Sequence, residues 1–160
     1  MFLMDACEKD PHISLEISIV NRTADTISLN LLPQPEYIIY PDFYQYCDSK
    51  QDPYPGPFGE VSSDLEPESE KSLFSSENID QEPYSVATRV FESISISIHN
   101  GQKNIYFSVD TAIGYSENLY DSTSMWDYEV LRFSEPDQIR SNPQEIHSYT
   151  FAISTEKIEY

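Results

Sequence analysis

The sequence predicts an all-β protein, an antiparallel β-sandwich immunoglobulin-like in general shape, with a partly open β-barrel as the alternative. Three observations lead there. Apolar residues alternate with Ser, Asn and Glu through several short runs, which is the period of a half-buried strand. Turn-forming residues punctuate the chain between those runs. No stretch carries the period of a long amphipathic helix.

The elements follow in order. From His12 to Val20, Ile13, Leu15, Ile17 and Ile19 share one face, and Ser14, Glu16 and Ser18 share the other. Asn21 to Asp25 is polar, and Ile27, Leu29 and Leu31 then resume the alternation with Ser28 and Asn30. The two runs predict an antiparallel hairpin through a short loop. Pro33 and Pro35 end the second run, and Tyr37 to Tyr40 suits a short third strand. From Pro41 to Pro57 the chain is rich in Tyr, Pro and Asp. Proline removes ladder donors, so this stretch predicts a long aromatic loop laid over the domain. Ser62 to Lys71 is acidic and predicts an exposed turn, and Leu73-Phe74 begins another short strand. Val86 to Phe91 reads as one helical turn or the lead-in to a strand.

The clearest hairpin comes next. Ile94, Ile96 and Ile98 alternate with serines, and His99-Asn100-Gly101-Gln102 supplies the turn. Ile105, Phe107 and Val109 return on the inner face. A one-residue slip would bury the serines, so the register is well specified. Thr111 to Ser124 forms a second polar, aromatic loop. Trp126, Tyr128 and Val130 alternate through to Phe133, Pro136 to Arg140 suits a short helix, and Tyr149, Phe151 and Ile153 mark the last strong strand. One β-sandwich domain over residues 12–160 is expected, preceded by a tether at residues 1–11.

Composition bounds the function. The chain has 160 residues, enough for a real core. Its net charge is −19, from 28 acidic against 9 basic residues, which sets it against binding a phosphate backbone, so no nucleic-acid partner is expected. An aromatic content of 13%, mostly tyrosine, separates it from disordered acidic chains. No run approaches the ~18 apolar residues of a membrane-spanning helix.

Cys7 is preceded by Ala6 and followed by Glu8-Lys9-Asp10. This order resembles the processing and surface-export site of Bacteroidetes-type lipoproteins, although Asp5 replaces the small residue usual two places before the cysteine. The run from Ile19 to Ile27 resembles the opening hairpin of the small β-rich lipoproteins of that group. Leu73-Phe74-Ser75 and Phe91-Glu92-Ser93-Ile94 add to the likeness. The resemblance implies a lipidated Cys7, with Met1-Phe2-Leu3-Met4 as the end of a truncated leader. It also implies a place in the bacterial cell envelope, at the outer-membrane surface, with the membrane reached only through the lipid. A cytoplasmic location is the alternative.

No catalytic constellation stands out. His12, His99 and His147 fall at strand starts or turns, with no nucleophile tied to them. Four glycines leave no phosphate-cradling loop, and Cys7 and Cys47 have no metal-ligand spacing, so no cofactor or metal is expected. Asp42, Asp48, Asp52 and Glu60 supply hard oxygens without the spacing of a calcium loop. Asn21-Arg22-Thr23 fits a glycosylation sequon, which has meaning only in a eukaryotic secretory setting.

Aromatic loop residues carry the binding expectation: Tyr40, Phe43, Tyr44, Tyr46 and Tyr54 in the first loop, and Tyr115, Tyr120 and Trp126 in or near the second. Exposed rings bind with little loss of entropy, and sugar rings stack on them. The competing reading is that these rings cap the ends of the sandwich and cover its core. The expected function is therefore a non-catalytic envelope lipoprotein whose β-sandwich binds a glycan or a protein. The alternative is a soluble acidic inhibitor, of the immunity-protein type, that captures a basic partner.

Overall fold

The computed structural model describes residues 12–34, 37–39, 46–48, 61–76, 79–98, 101–133 and 144–159. In chain order its elements are β1 (His12–Arg22), β2 (Ile27–Pro33), β3 (Tyr37–Ile39), β4 (Tyr46–Asp48), β5 (Val61–Leu65), β6 (Glu70–Ser76), α1 (Pro83–Val90), β7 (Phe91–Ile98), β8 (Lys103–Ser108), β9 (Thr111–Ile113), β10 (Asp127–Phe133) and β11 (Gln144–Ser154), followed by a 3-10 turn over Thr155–Lys157. Two sheets stack face to face, ordered β10-β11-β1-β6 and β5-β2-β7-β8-β9, with β3-β4 as a separate small ribbon. The predicted all-β sandwich is the observed architecture, and among the described residues the strands do not close into a barrel.

Alternation builds the core from both sides. Leu15, Ile17 and Ile19 of β1, with Phe151 and Ile153 of β11, face Ile27, Leu29 and Leu31 of β2 and Ile94, Ile96 and Ile98 of β7 in one buried cluster. Ile105 and Phe107 of β8 join them. Helix α1 opens at Pro83 and buries Pro83, Val86, Ala87 and Val90, which is one face of a single short helix. The chain then enters β7 directly at Phe91, so the helical alternative at residues 86–91 is the observed one, over a longer span that starts at Pro83 and ends at Val90.

The β7–β8 hairpin has the predicted register, with Ile94 opposite Phe107 and Ile96 opposite Ile105. Gly101 takes a φ of 89° in its turn, a value open to glycine. Val109 departs from the expectation. β8 ends at Ser108, and Val109 sits exposed in the turn into β9.

Three further expectations are corrected. β1 and β2 do not pair. They lie in different sheets, and residues 23–26 carry the chain from one to the other. Each run has one apolar face, but a shared period does not say that two strands share a sheet. Instead β1 pairs in parallel with β11, from His12 opposite Gln144 to Arg22 opposite Ser154, so the sandwich is not antiparallel throughout. Residues 62–71 are not a simple exposed turn. They hold most of β5, a tight corner at 66–69 and the start of β6, again crossing between sheets. A register shift against β1 at Ile17/Ser18 lets the adjacent residues Leu73 and Phe74 of β6 both be buried. The helix expected at 136–140 and most of the aromatic loop at 41–57 lie outside the described residues.

Both corners are held by Asn21, which is fully buried. Its side-chain amide donates to the carbonyls of Asp25 at 2.8 Å and Leu65 at 2.9 Å. Its side-chain oxygen accepts from the Thr23 amide at 3.0 Å and the Thr23 hydroxyl at 2.8 Å. The Asn21 backbone bonds Ser69 and Glu68 across the second corner. With its amide enclosed and fully used, Asn21 is a structural residue, and the sequon has no accessible acceptor there.

Candidate functional site

The outer face of the β10-β11-β1-β6 sheet carries a groove of about 300 Å³, lined by Val20, Arg22, Glu70, Asp127, Tyr128, Glu129 and Thr150. Strand register assembles it. Thr150 lies between Asp127 of β10 and Ser18 of β1, and Val20 lies beside Glu70 of β6. On β1 and β11 these positions alternate with residues that fill the core, whereas β10 is exposed on both faces. Parallel pairing of β1 with β11 is what brings residues so far apart in sequence into one row.

Within the groove, the Glu70 carboxylate accepts from the Ser18 hydroxyl and, at 3.1 Å, from the Thr150 hydroxyl. Arg22 pairs with Asp127 at 3.5 Å, both side chains well exposed. Three carboxylates therefore share the lining with one guanidinium, and the local charge is negative. Such a lining offers several acceptors, one cationic donor and the edge of Tyr128. Its volume is at the lower end of the ~300–1,000 Å³ of small-molecule pockets.

A second polar chain lies on the opposite face of the same two strands. The Tyr128 hydroxyl meets His147 Nδ1 at 2.7 Å, His147 Nε2 meets Glu145 at 3.0 Å, and Arg132 Nε donates to Glu145 at 2.9 Å. In the neutral tautomer that satisfies all three contacts, Nε2 donates to the carboxylate and Nδ1 accepts from the phenol. The hydrogen bond from Arg132, then that from His147, holds the Glu145 carboxyl below the usual carboxylate range. Tyr128 also lies over Tyr149, ring centroids 4.8 Å apart. His147 is thus part of a strand face and not of the lead-in to the strand.

The aromatic residues divide. Cys7, Tyr40, Phe43, Tyr44 and Tyr54 lie outside the described residues, and Tyr46 is described only as part of the β4 backbone. Tyr115 and Tyr120 are not on an exposed recognition surface: they are 2% and 5% exposed. The Tyr115 ring stands edge-on to Phe107 at 5.7 Å, and its hydroxyl donates to the Ala152 carbonyl at 2.8 Å while accepting from the Ser154 amide at 3.1 Å. It therefore ties the two sheets together. The Tyr120 hydroxyl donates to the Phe91 carbonyl at 3.3 Å. Burial pushes both phenols above their ordinary range. Trp126 is half-buried against Phe151 at 5.2 Å, with its indole N–H unpaired among the described residues. The loop expected to be polar is pinned inward by Tyr115, Leu119 and Tyr120.

Sequence reasoning did not single out Arg22, Glu70, Asp127, Glu129 or Thr150. Their only signal is that they occupy solvent-side positions of strands, and which strands are neighbours is not readable from alternation. Among the described residues, no group of three or more His, Cys, Asp and Glu side chains is placed to hold a metal ion, and no helix is long and apolar enough to cross a membrane. Compared with known proteins, the chain matches no family model, and neither a curated protein nor a solved structure matches it significantly.

Proposed function

We propose that the chain is a cell-envelope lipoprotein anchored through Cys7, whose β-sandwich is a non-catalytic binding module for a glycan or a protein. The observation that carries the binding part is the polar groove on the outer face of the β10-β11-β1-β6 sheet. It lies toward the end of β1 remote from His12, at Val20 and Arg22. At about 3.3 Å per strand residue, that is about 25 Å from the start of the strand. An anchor at Cys7 with a short polar leash from Glu8 to Pro11 would therefore attach at the end of β1 remote from the groove. Carboxylates and hydroxyls suit a ligand rich in hydroxyl or amine donors, and stable anchoring follows when the cysteine carries more than one acyl chain.

Two measurements test the reading. Metabolic labelling with an alkynyl fatty acid in the native host should mark the protein and not the Cys7→Ala variant; an unlabelled wild-type protein would remove the anchor. A panel of surface glycans and envelope proteins, screened with the full chain, should yield a ligand whose binding falls in Asp127→Ala and Glu70→Gln while the melting temperature holds. A ligand indifferent to both variants would remove the groove.

The negative lining also supports the second reading, an acidic inhibitor that captures a basic partner. In that case there is no acyl label, and affinity falls steeply as salt screens the carboxylates.

A further inference from the structure

Among the described residues, strand β10 is an open edge that pairs with β11 alone, over seven residues in unbroken antiparallel register from Asp127 opposite Thr150 to Phe133 opposite Gln144. Exposed edges are ordinarily blunted by shortness, lysine, proline or a bulge. β10 is seven residues long without lysine, proline or a bulge; its charges are Asp127, Glu129 and Arg132, and the one cation is engaged with Glu145, so the charge left on the edge is acidic. Tyr128, Val130 and Phe133 are among the exposed large apolar side chains of the molecule, at 51%, 37% and 50%. The other free edges differ: β9 is three residues long, β5 is five, and β6 carries Lys71 and a register shift against β1.

We infer that β10 accepts an added strand from another protein, an extended segment that alternates apolar residues with Lys or Arg. This rests on the reading of the domain as a binding module and narrows its partner to a basic peptide. Register supplies the argument for charge. Asp127, which Arg22 meets at 3.5 Å from the groove side, and Glu129 share one face of β10, so basic side chains on that face of an incoming strand meet carboxylates. Tyr128 and Val130 share the other face, where the alternate apolar residues of the segment lie against them. A second copy of this chain fits less well. Antiparallel self-pairing about Val130 brings two copies of Asp127 and Glu129 onto one face, between molecules that each carry −19.

The test uses the purified full chain and a fluorescent peptide of alternating Lys and Val, as long as β10. Binding is read by anisotropy and the bound face by amide hydrogen exchange. The expected result is saturable binding with slowed exchange at residues 127–133. Replacing Lys by Glu in the peptide, or N-methylating every second amide of the strand-facing edge, should weaken it by about tenfold, the equivalent of one or two lost contacts. The variant Glu129→Lys should weaken it severalfold without shifting the melting temperature, and the exposed site makes loss of folding no obstacle. Equal binding of the methylated peptide, protection away from β10, or protection that rises with protein concentration in the absence of peptide each overturns the inference; the last assigns the edge to a second copy. A glycan whose binding depends on Glu70, in a protein that ignores the peptide, overturns it as well and leaves the binding-module reading standing.

Discussion

Replacing Tyr115 by Phe separates the two roles available to this ring. The substitution keeps the aromatic packing on Phe107 and removes one oxygen. That oxygen donates to the Ala152 carbonyl at 2.8 Å and accepts from the Ser154 amide at 3.1 Å. The backbone of β11 is enclosed there, with Ser154 6% exposed, so neither group finds water in its place. An unsatisfied buried donor or acceptor costs about 1–3 kcal/mol. Two of them, partly relieved by relaxation, give an expected loss of about 2–4 kcal/mol. This is a large part of the roughly 5–15 kcal/mol that holds a domain folded. For a chain of this length the melting temperature should fall by roughly 5–12 °C. Urea titration followed by circular dichroism measures it, with a lower midpoint and an unchanged slope. Tyr120→Phe serves as the comparison. Its single contact, at 3.3 Å, is longer, and about 1 kcal/mol or less is expected. A loss below about 0.5 kcal/mol for Tyr115→Phe would refute the assignment of this hydroxyl as a tie between the sheets. Ligand binding lost at unchanged stability would return Tyr115 to the recognition surface.

Further predictions concern pH and the two corners. Burial raises the folded-state pKa of Tyr120 and Tyr115 above that of the unfolded phenol. Their contribution is therefore complete below about pH 10 and is lost as pH rises beyond it, by up to about 1.4 kcal/mol per pH unit for each ring. Urea midpoints between pH 9 and about 11.5 should fall accordingly, and Tyr120→Phe should flatten the fall. Lys157, raised by its hydrogen bond to Glu117, acts in the same direction, so a Glu117→Gln background isolates the phenols. Asn21→Ala removes four side-chain hydrogen bonds at the two corners and should cost about 3–4 kcal/mol in chemical denaturation; a loss under about 1 kcal/mol would mean that the corners hold without it. Glu68 holds a φ of 59° in the second corner, where a side chain is strained, so Glu68→Gly should raise stability by about 0.5–1 kcal/mol. Any decrease would show that the Glu68 side chain contributes more than its backbone conformation costs.

Alternation told which residues face the core. Ile13 to Ile19, Ile27 to Leu31, Ile94 to Ile98 and Ile105 to Phe107 all lie on strands, because a period of two needs no tertiary information. Partnership was illegible for the same reason. Nothing local in Leu15-Glu16-Ile17 says that its neighbour is Tyr149 and not Leu29. Asn21 to Asp25 read as a hairpin loop because polar residues serve a sheet-crossing corner equally well. Tyr115 and Tyr120 could be read either as surface rings or as rings that cover the core, because Ser, Asn and Asp surround them, and it is the second that their burial bears out. A phenol can be buried in such a loop once its hydroxyl finds a backbone partner, and that partner comes from a distant strand. The groove residues carried least signal of all, since a solvent-side Glu or Thr on a strand looks alike whether it borders a groove or open water.

Parallel pairing of β1 with β11 also sets when the domain can form. β1 sits inside its sheet, yet its partner on one side is a strand that follows only far along the chain. Until residues 144–154 are available, the row Leu15, Ile17 and Ile19 has, among the described residues, β6 alone beside it, and β10 lacks its described partner. A chain cut before Gln144 loses the equivalent of two strands of the sheet and not one edge. Contacts of such long sequence separation close slowly and together. Assembly of this sheet therefore waits for β11, which joins β1 and β10 into one surface and fixes both in register at once.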